Sequence, residues 1–212
     1  MSTEQIITTK QFDPSLVTLG KPKGNYITVF YPLNSQDVEF TKLKIQTPKM
    51  KIPFDTQERK SRMGEVFAIN VTVSTDEIGT DKNKARIEMF REKILELENK
   101  IKRKLPQEFQ RKTFSSSLWQ GKNADFKPTM RLSIRCFDQI PSVKVFDSDG
   151  DKVDVSHLVQ RSVGIFVISL DSIWSTTDKV GVNWNIEEVK LSKNDQPTKK
   201  KTNILTRDEF DD

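Results

Sequence analysis

Arg131, Ser133, Arg135 and Phe137 alternate with Met130, Leu132, Ile134 and Cys136. Alternate side chains of an extended strand share a face. The spacing therefore predicts two guanidinium groups and a phenyl ring on one face and an apolar row on the other. Lys144 and Phe146 repeat the arrangement against Val143 and Val145. Cations that track phosphates, interleaved with rings that stack on unpaired bases, are the chemistry of a platform for single-stranded nucleic acid. The same spacing would also result if Phe137 and Phe146 packed beneath a helix or loop. Lys42, Lys44, Lys49 and Lys51 form a second basic row, which reads either as a phosphate track or as a charged edge that resists aggregation. Arg111 and Lys112 precede a hydroxyl-rich stretch, 113–122, that holds Phe114 and Trp119. These rings could stack on bases or staple the loop to the core. Trp174 and Trp184 lie among β-branched residues and are expected in the core.

No comparable constellation supports catalysis. One histidine, His157, and one cysteine, Cys136, cannot assemble a Cys/His zinc site or a multi-histidine metal site. Asp147, Asp149 and Asp151 around Gly150 fail the calcium-loop spacing, which needs glycine at the sixth position and glutamate at the twelfth, where Leu158 stands. This segment reads as a tight hairpin turn. His157 has no serine elbow or cysteine partner, and no Walker loop or dinucleotide fingerprint occurs. The expectation is a protein that is not an enzyme and needs no cofactor or metal.

The elements that must carry these residues are mostly strands. Period-2 patterns with β-branched and aromatic residues run over 26–31, 38–47, 66–74, 129–137, 143–146, 163–170 and 180–191. A break is expected at Thr47-Pro48, with a further strand over 50–54 placed at a sheet edge by Pro53. Between residues 81 and 105 the period changes. Ile87, Phe90, Ile94, Leu97, Ile101 and Leu105 fall on one stripe of an amphipathic helix, capped by Thr80 or Asp81 and ended by Pro106. Its other face is dense in Lys and Arg, as a solvated or nucleic-acid-facing surface would be. A long polar loop over 107–127 should follow. The 212 residues carry 35 Lys and Arg against 30 Asp and Glu, for a net charge of +5, which leans toward a polyanionic partner. No apolar run approaches the ~18 residues of a membrane-spanning helix, and the first ten residues lack a signal-peptide pattern. A lone cysteine suits a reducing compartment, so cytoplasm or nucleus is expected, with no membrane partner.

The segment 193–212 changes character. It balances five basic against five acidic residues, and its composition predicts a flexible tail beside a globular domain over 1–192. Its end, Asp208, Glu209, Phe210, Asp211 and Asp212, is acidic around one ring. Such an end could imitate phosphates and a base at the chain's own cleft, or simply solubilise.

In this layout the chain resembles the OB-fold single-stranded DNA-binding proteins of viral replication, both those of large DNA viruses and those of bacteriophages with an acidic C-terminal tail. The features that carry the likeness are the strand-rich body with one long helix, the basic and aromatic strands, the acidic aromatic ending, and the segment 173–191 with Lys179-Val180-Gly181-Val182-Asn183-Trp184. The resemblance implies a mainly β, OB-like barrel with additional strands. It also implies binding to single-stranded DNA in replication, recombination or repair, with replication proteins such as polymerase or helicase recruited through the tail. Oligomeric state stays open. An RNA-binding module or a virion scaffold protein would use the same residues.

Overall fold

The computed structural model describes residues 6–32, 40–61, 64–75, 80–120, 127–138 and 140–193. Ahead of the long helix stand β1 (Ile6–Thr8), β2 (Thr18–Lys23), β3 (Tyr26–Pro32), β4 (Phe40–Thr41), β5 (Leu43–Lys51), β6 (Gln57–Ser61) and β7 (Gly64–Thr72). After α1 (Asp81–Lys104) come α2 (Gln107–Gln110), β8 (Thr113–Ser115), β9 (Leu118–Trp119), β10 (Thr129–Phe137), β11 (Ile140–Pro141), β12 (Lys144–Phe146), β13 (Lys152–Val153), β14 (Val163–Ser175) and β15 (Lys179–Leu191). The main path across the sheet is β1-β5-β14-β15-β10-β7-β6. The described strands of the first seventy residues thus belong to the same sheet as the rest. Among the described residues no pairing joins β1 to β6, so the sheet is open where a closed barrel was expected.

Strand alternation gives this sheet two chemically different faces. Lys44, Ser169, Asn185, Ser133, Ala68 and Gln57 are register partners in turn and form a mostly polar row on one face. Ile45, Ile168 and Ile186 are partners one residue further along and, with Leu132 and Ile69, turn to the other face and are buried. Burying a side chain of this size contributes about 1.5–3 kcal/mol, so slipping a strand by one residue would exchange the two faces at a large cost.

The expected break at Thr47-Pro48 does not occur, and β5 runs through it. The register with β14 shifts between Ile165 and Val167. At this bulge the Phe166 N–H donates to the Thr47 hydroxyl at 3.0 Å. A side-chain acceptor thereby takes the ladder position, and the missing N–H of Pro48 leaves no strand partner orphaned. No separate strand forms over 50–54: Met50 and Lys51 end β5, where they pair with Gly164 and Val163 of β14, and β1 covers only 44–46 on the other side.

The helix follows its sequence pattern. Ile87, Phe90, Ile94, Leu97 and Ile101 are fully buried, and the Leu105 N–H closes the last turn on Ile101 O before Pro106. Gln110 Nε2 then donates to Leu105 O at 2.6 Å. Not all of the helix cations face solvent. Lys93 Nζ donates to Thr9 O and Lys10 O at 3.0 Å and also to Phe12 O, while Lys100 Nζ reaches Pro14 O and Ser15 O. Two lysines thus tie the N-terminal segment across the helix. Burial first, and then the charge of Lys104, hold the Lys100 ammonium below its ordinary pKa. No described helix is long and apolar enough to cross a membrane. The tail 194–212, with Asp208 to Asp212, lies outside the described residues.

Candidate nucleic-acid groove

Part of the stretch expected to be a long loop, 113–119, is built onto the sheet. β8 pairs in parallel with β15, placing Phe114 beside Val180 and Ser115 beside Gly181. β9 pairs with β10, with Trp119 opposite Thr129 and Leu118 opposite Met130. Arg131 N donates to Ser117 O at 3.0 Å and extends this contact. Phe114 packs partly buried against the core, whereas Trp119 is 50% exposed.

Together these strands form a groove of about 650 Å³. Ser115, Ser116 and Trp119 make one wall, Arg131 and Ser133 line it from β10, and Asn70 from β7 stands opposite Arg131 in register. Trp174 and Asn183 line the side toward β14 and β15, and Phe54, itself 41% exposed, contributes a further ring. Among the described residues no carboxylate lines the groove. Rings, amides, hydroxyls and a guanidinium suit an anionic strand that also offers flat bases.

Trp174 had been expected in the core, but it is only half-buried. Its indole lies against Gly181, where a Cβ would stand 2.7 Å from the ring and 2.8 Å from Ser115 O. Its Nε1 donates to Val182 O at 3.3 Å. Glycine here allows the Trp174 ring and strand β8 to approach β15 together. Trp184 is buried, at 1% exposure. Phe54, Asn70, Trp174 and Asn183 were missed by sequence reasoning. The glycine two residues before Asn183 was the one local signal of close ring packing.

The other expected residues fall elsewhere. Arg135 and Phe137 continue the β10 face beyond the groove, with Arg135 half-buried and Phe137 64% exposed. Phe137 pairs with Ile140, itself 70% exposed. Lys144 is exposed and Phe146 half-buried on β12, which pairs with β13 and β15. Lys144 does not reach the groove. It lines a second cleft of about 460 Å³ with Lys44, Glu187 and Glu188. In that cleft Lys42 Nζ bonds Glu187 Oε1 at 3.0 Å, Lys44 Nζ stands 3.6 Å from Oε2, and Ser169 Oγ donates to Oε1 at 2.6 Å. Burial pushes the Glu187 carboxyl up, but the Ser169 and Lys42 hydrogen bonds and the two lysine charges outweigh it and hold the group at about 2. The Lys42 and Lys44 charges therefore face a permanent counter-charge.

Lys49 and Lys51 are half-buried on β5 opposite Ile165 and Val163, and the Lys49 backbone is bracketed by the Asn83 amide. Arg111 is exposed after α2. Lys112 is engaged, its ammonium donating to Ser175 Oγ at 2.7 Å and Thr176 O at 2.6 Å, 5.2 Å from the Phe109 ring centre. At 147–151 the expected turn forms. Asp147 Oδ1 accepts from the amides of Asp149, Gly150 and Asp151, and Gly150 adopts φ +96°. His157 Nδ1 lies 3.1 Å from Asp154 O. Among the described residues no group of three or more His, Cys, Asp or Glu could hold a metal ion.

No protein-family model and no curated protein matches the sequence. The fold is nevertheless similar to solved structures. The crystal structure of gp2.5, a single-stranded DNA binding protein encoded by bacteriophage T7, superposes with a TM-score of 0.51 at 15% identity, covering 74% of this chain and 89% of that one. The single-stranded DNA-binding protein from bacteriophage Enc34 in complex with ssDNA matches with a TM-score of 0.47 at 11% identity over 85% of this chain and 97% of that one. The first of these shows a fold that the two chains share.

Proposed function

We propose that this protein binds single-stranded DNA, without strong sequence preference, in the groove between β9, β10 and β15. The observation that carries the reading is the meeting of the exposed Trp119 ring and Arg131 in one cleft. The fold shared with a phage single-stranded DNA binding protein supports it. Each stacked base would contribute about 1–3 kcal/mol, and Arg131 would neutralise a phosphate, making affinity fall with salt. A role in replication, recombination or repair in a viral setting, inside a reducing compartment, belongs to the same proposal. So does recruitment of replication proteins by Asp208, Glu209, Phe210, Asp211 and Asp212, which the sequence alone supports. Arg135 and Phe137 would extend the strand's path along the β10 face.

Fluorescence anisotropy of a labelled oligothymidine at two salt concentrations, with duplex DNA as competitor, tests the reading. Salt-sensitive binding that duplex cannot compete away is the expected result. No binding at low salt would discard it.

A further inference from the structure

Glu98 is only 4% exposed, although it lies on the charged helix beside the apolar stripe. A carboxylate removed from water needs donors to replace those it loses. Among the described residues Glu98 has no ion pair, and its donors all come from one turn. Ser116 Oγ donates to Oε2 at 2.5 Å, Ser117 N to Oε1 at 2.7 Å and Ser117 Oγ to Oε1 at 2.6 Å. The Ser116 hydroxyl oxygen in turn accepts from Leu118 N at 3.1 Å. Ser117 O accepts from Arg131 N at 3.0 Å. Trp119 follows directly, opposite Thr129. One buried carboxylate on α1 thus holds the turn that joins both strand-contacting residues of the groove.

We infer that Glu98 is a positioning residue for DNA binding: its clamp on Ser116 and Ser117 holds the Trp119 ring over the groove and sets the β10 backbone at Arg131. This rests on the groove reading above. The clamp lowers the entropy cost of stacking, because a ring already held in place loses little freedom when a base arrives. An aliphatic residue at position 98 would fill the helix–sheet contact but leave the buried Ser117 N–H without an acceptor.

The test compares Glu98→Ala, Glu98→Gln and Trp119→Ala, and places Glu98→Ala also in the Trp119→Ala and Phe137→Ala backgrounds, all at a temperature where thermal unfolding shows each protein folded. Glu98→Ala should weaken oligothymidine binding about tenfold by freeing a stacking ring. The Gln variant, whose amide oxygen still accepts from Ser117 N–H, should stay within about threefold of wild type. Coupling is decisive, because residues that act through one another are not additive. The Glu98→Ala loss should shrink several-fold when Trp119 is already Ala, leaving only the share that acts through Arg131, and persist in full when Phe137 is Ala. An equal loss in both backgrounds would make Glu98 a general stabiliser and overturn the inference. Amide hydrogen exchange without DNA gives a second readout. Glu98→Ala should speed exchange at residues 117–119 and 131, and unchanged exchange there would overturn the clamp whatever the DNA does. If exchange speeds up but Trp119→Ala binds as wild type, the groove reading fails, and the inference about DNA binding falls with it while the clamp stands as fold architecture.

Discussion

Two clefts on this sheet contain the same kinds of cation in different company. Beside Arg131, among the described residues, stand rings, amides and hydroxyls. Beside Lys44 and Lys144 stand Glu187 and Glu188, and Glu187 bonds Lys42 and faces Lys44. A strand's own alternation places a lysine on a face, but the neighbouring strand decides whether its charge is offered to solvent or closed on itself. Lys42 and Glu187 are 145 residues apart in the chain. What a cation on a strand can do therefore depends on the residues that the paired strands bring beside it.

The largest effect expected from this contrast is on affinity. Trp119→Ala should weaken oligothymidine binding by about 1–3 kcal/mol, the loss of one stacked base, whereas Lys42→Ala should leave it nearly unchanged in the same titration. Equal losses would break the distinction between the clefts. Next comes salt dependence. Arg131→Ala with Arg135→Ala should flatten the log–log salt slope by up to about 1.4, roughly 0.7 for each single-strand phosphate, and Lys42→Ala with Lys44→Ala should change it far less.

Glu187 sharpens the comparison from the other side. Its folded pKa of about 2 lies below the ordinary carboxyl value of 4.5, so its stabilising contribution is full above about pH 4.5 and is lost as pH falls through about 2. With its side chain 32% exposed, the contribution is on the order of 1–2 kcal/mol after solvent screening. Urea unfolding of Glu187→Gln should show that loss at neutral pH and a weaker decline in stability below pH 4.5 than wild type. The same variant should gain salt-sensitive DNA affinity as Lys42 and Lys44 are released, and no gain would show that position, not pairing, keeps them from DNA. The smallest effect concerns Phe137. Phe137→Ala should change stability by less than about 0.5 kcal/mol, as for an exposed site, and a chemical melt that falls further would mean the ring packs against something.

Much of the fold could be read from the sequence because its periods are local. The Ile87 to Leu105 stripe, the alternation from Met130 to Phe137 and the turn at Asp147 each depend on neighbours a few residues away. The failures have long-range causes. Pro48 reads as a strand breaker until Thr47 meets Phe166, 119 residues on. The hydroxyl-rich loop reads as unstructured until Glu98 and β10 take up its backbone groups. Arg131 and Trp119 were both singled out, but as parts of two different patches. Only the β9–β10 pairing puts them in one groove.

The sequence by itself determined which face the long helix and strand β10 bury, because burial follows the side-chain period and the hydrophobic effect needs no particular partner. It also set the inventory of cations and rings. Tertiary structure alone decided which cations meet carboxylates, which rings stay open to solvent and which turn a buried glutamate holds. Those outcomes rest on directional hydrogen bonds and short-range charge pairs between strands far apart in the chain, and their energies depend on distances of a few ångströms that no local pattern encodes.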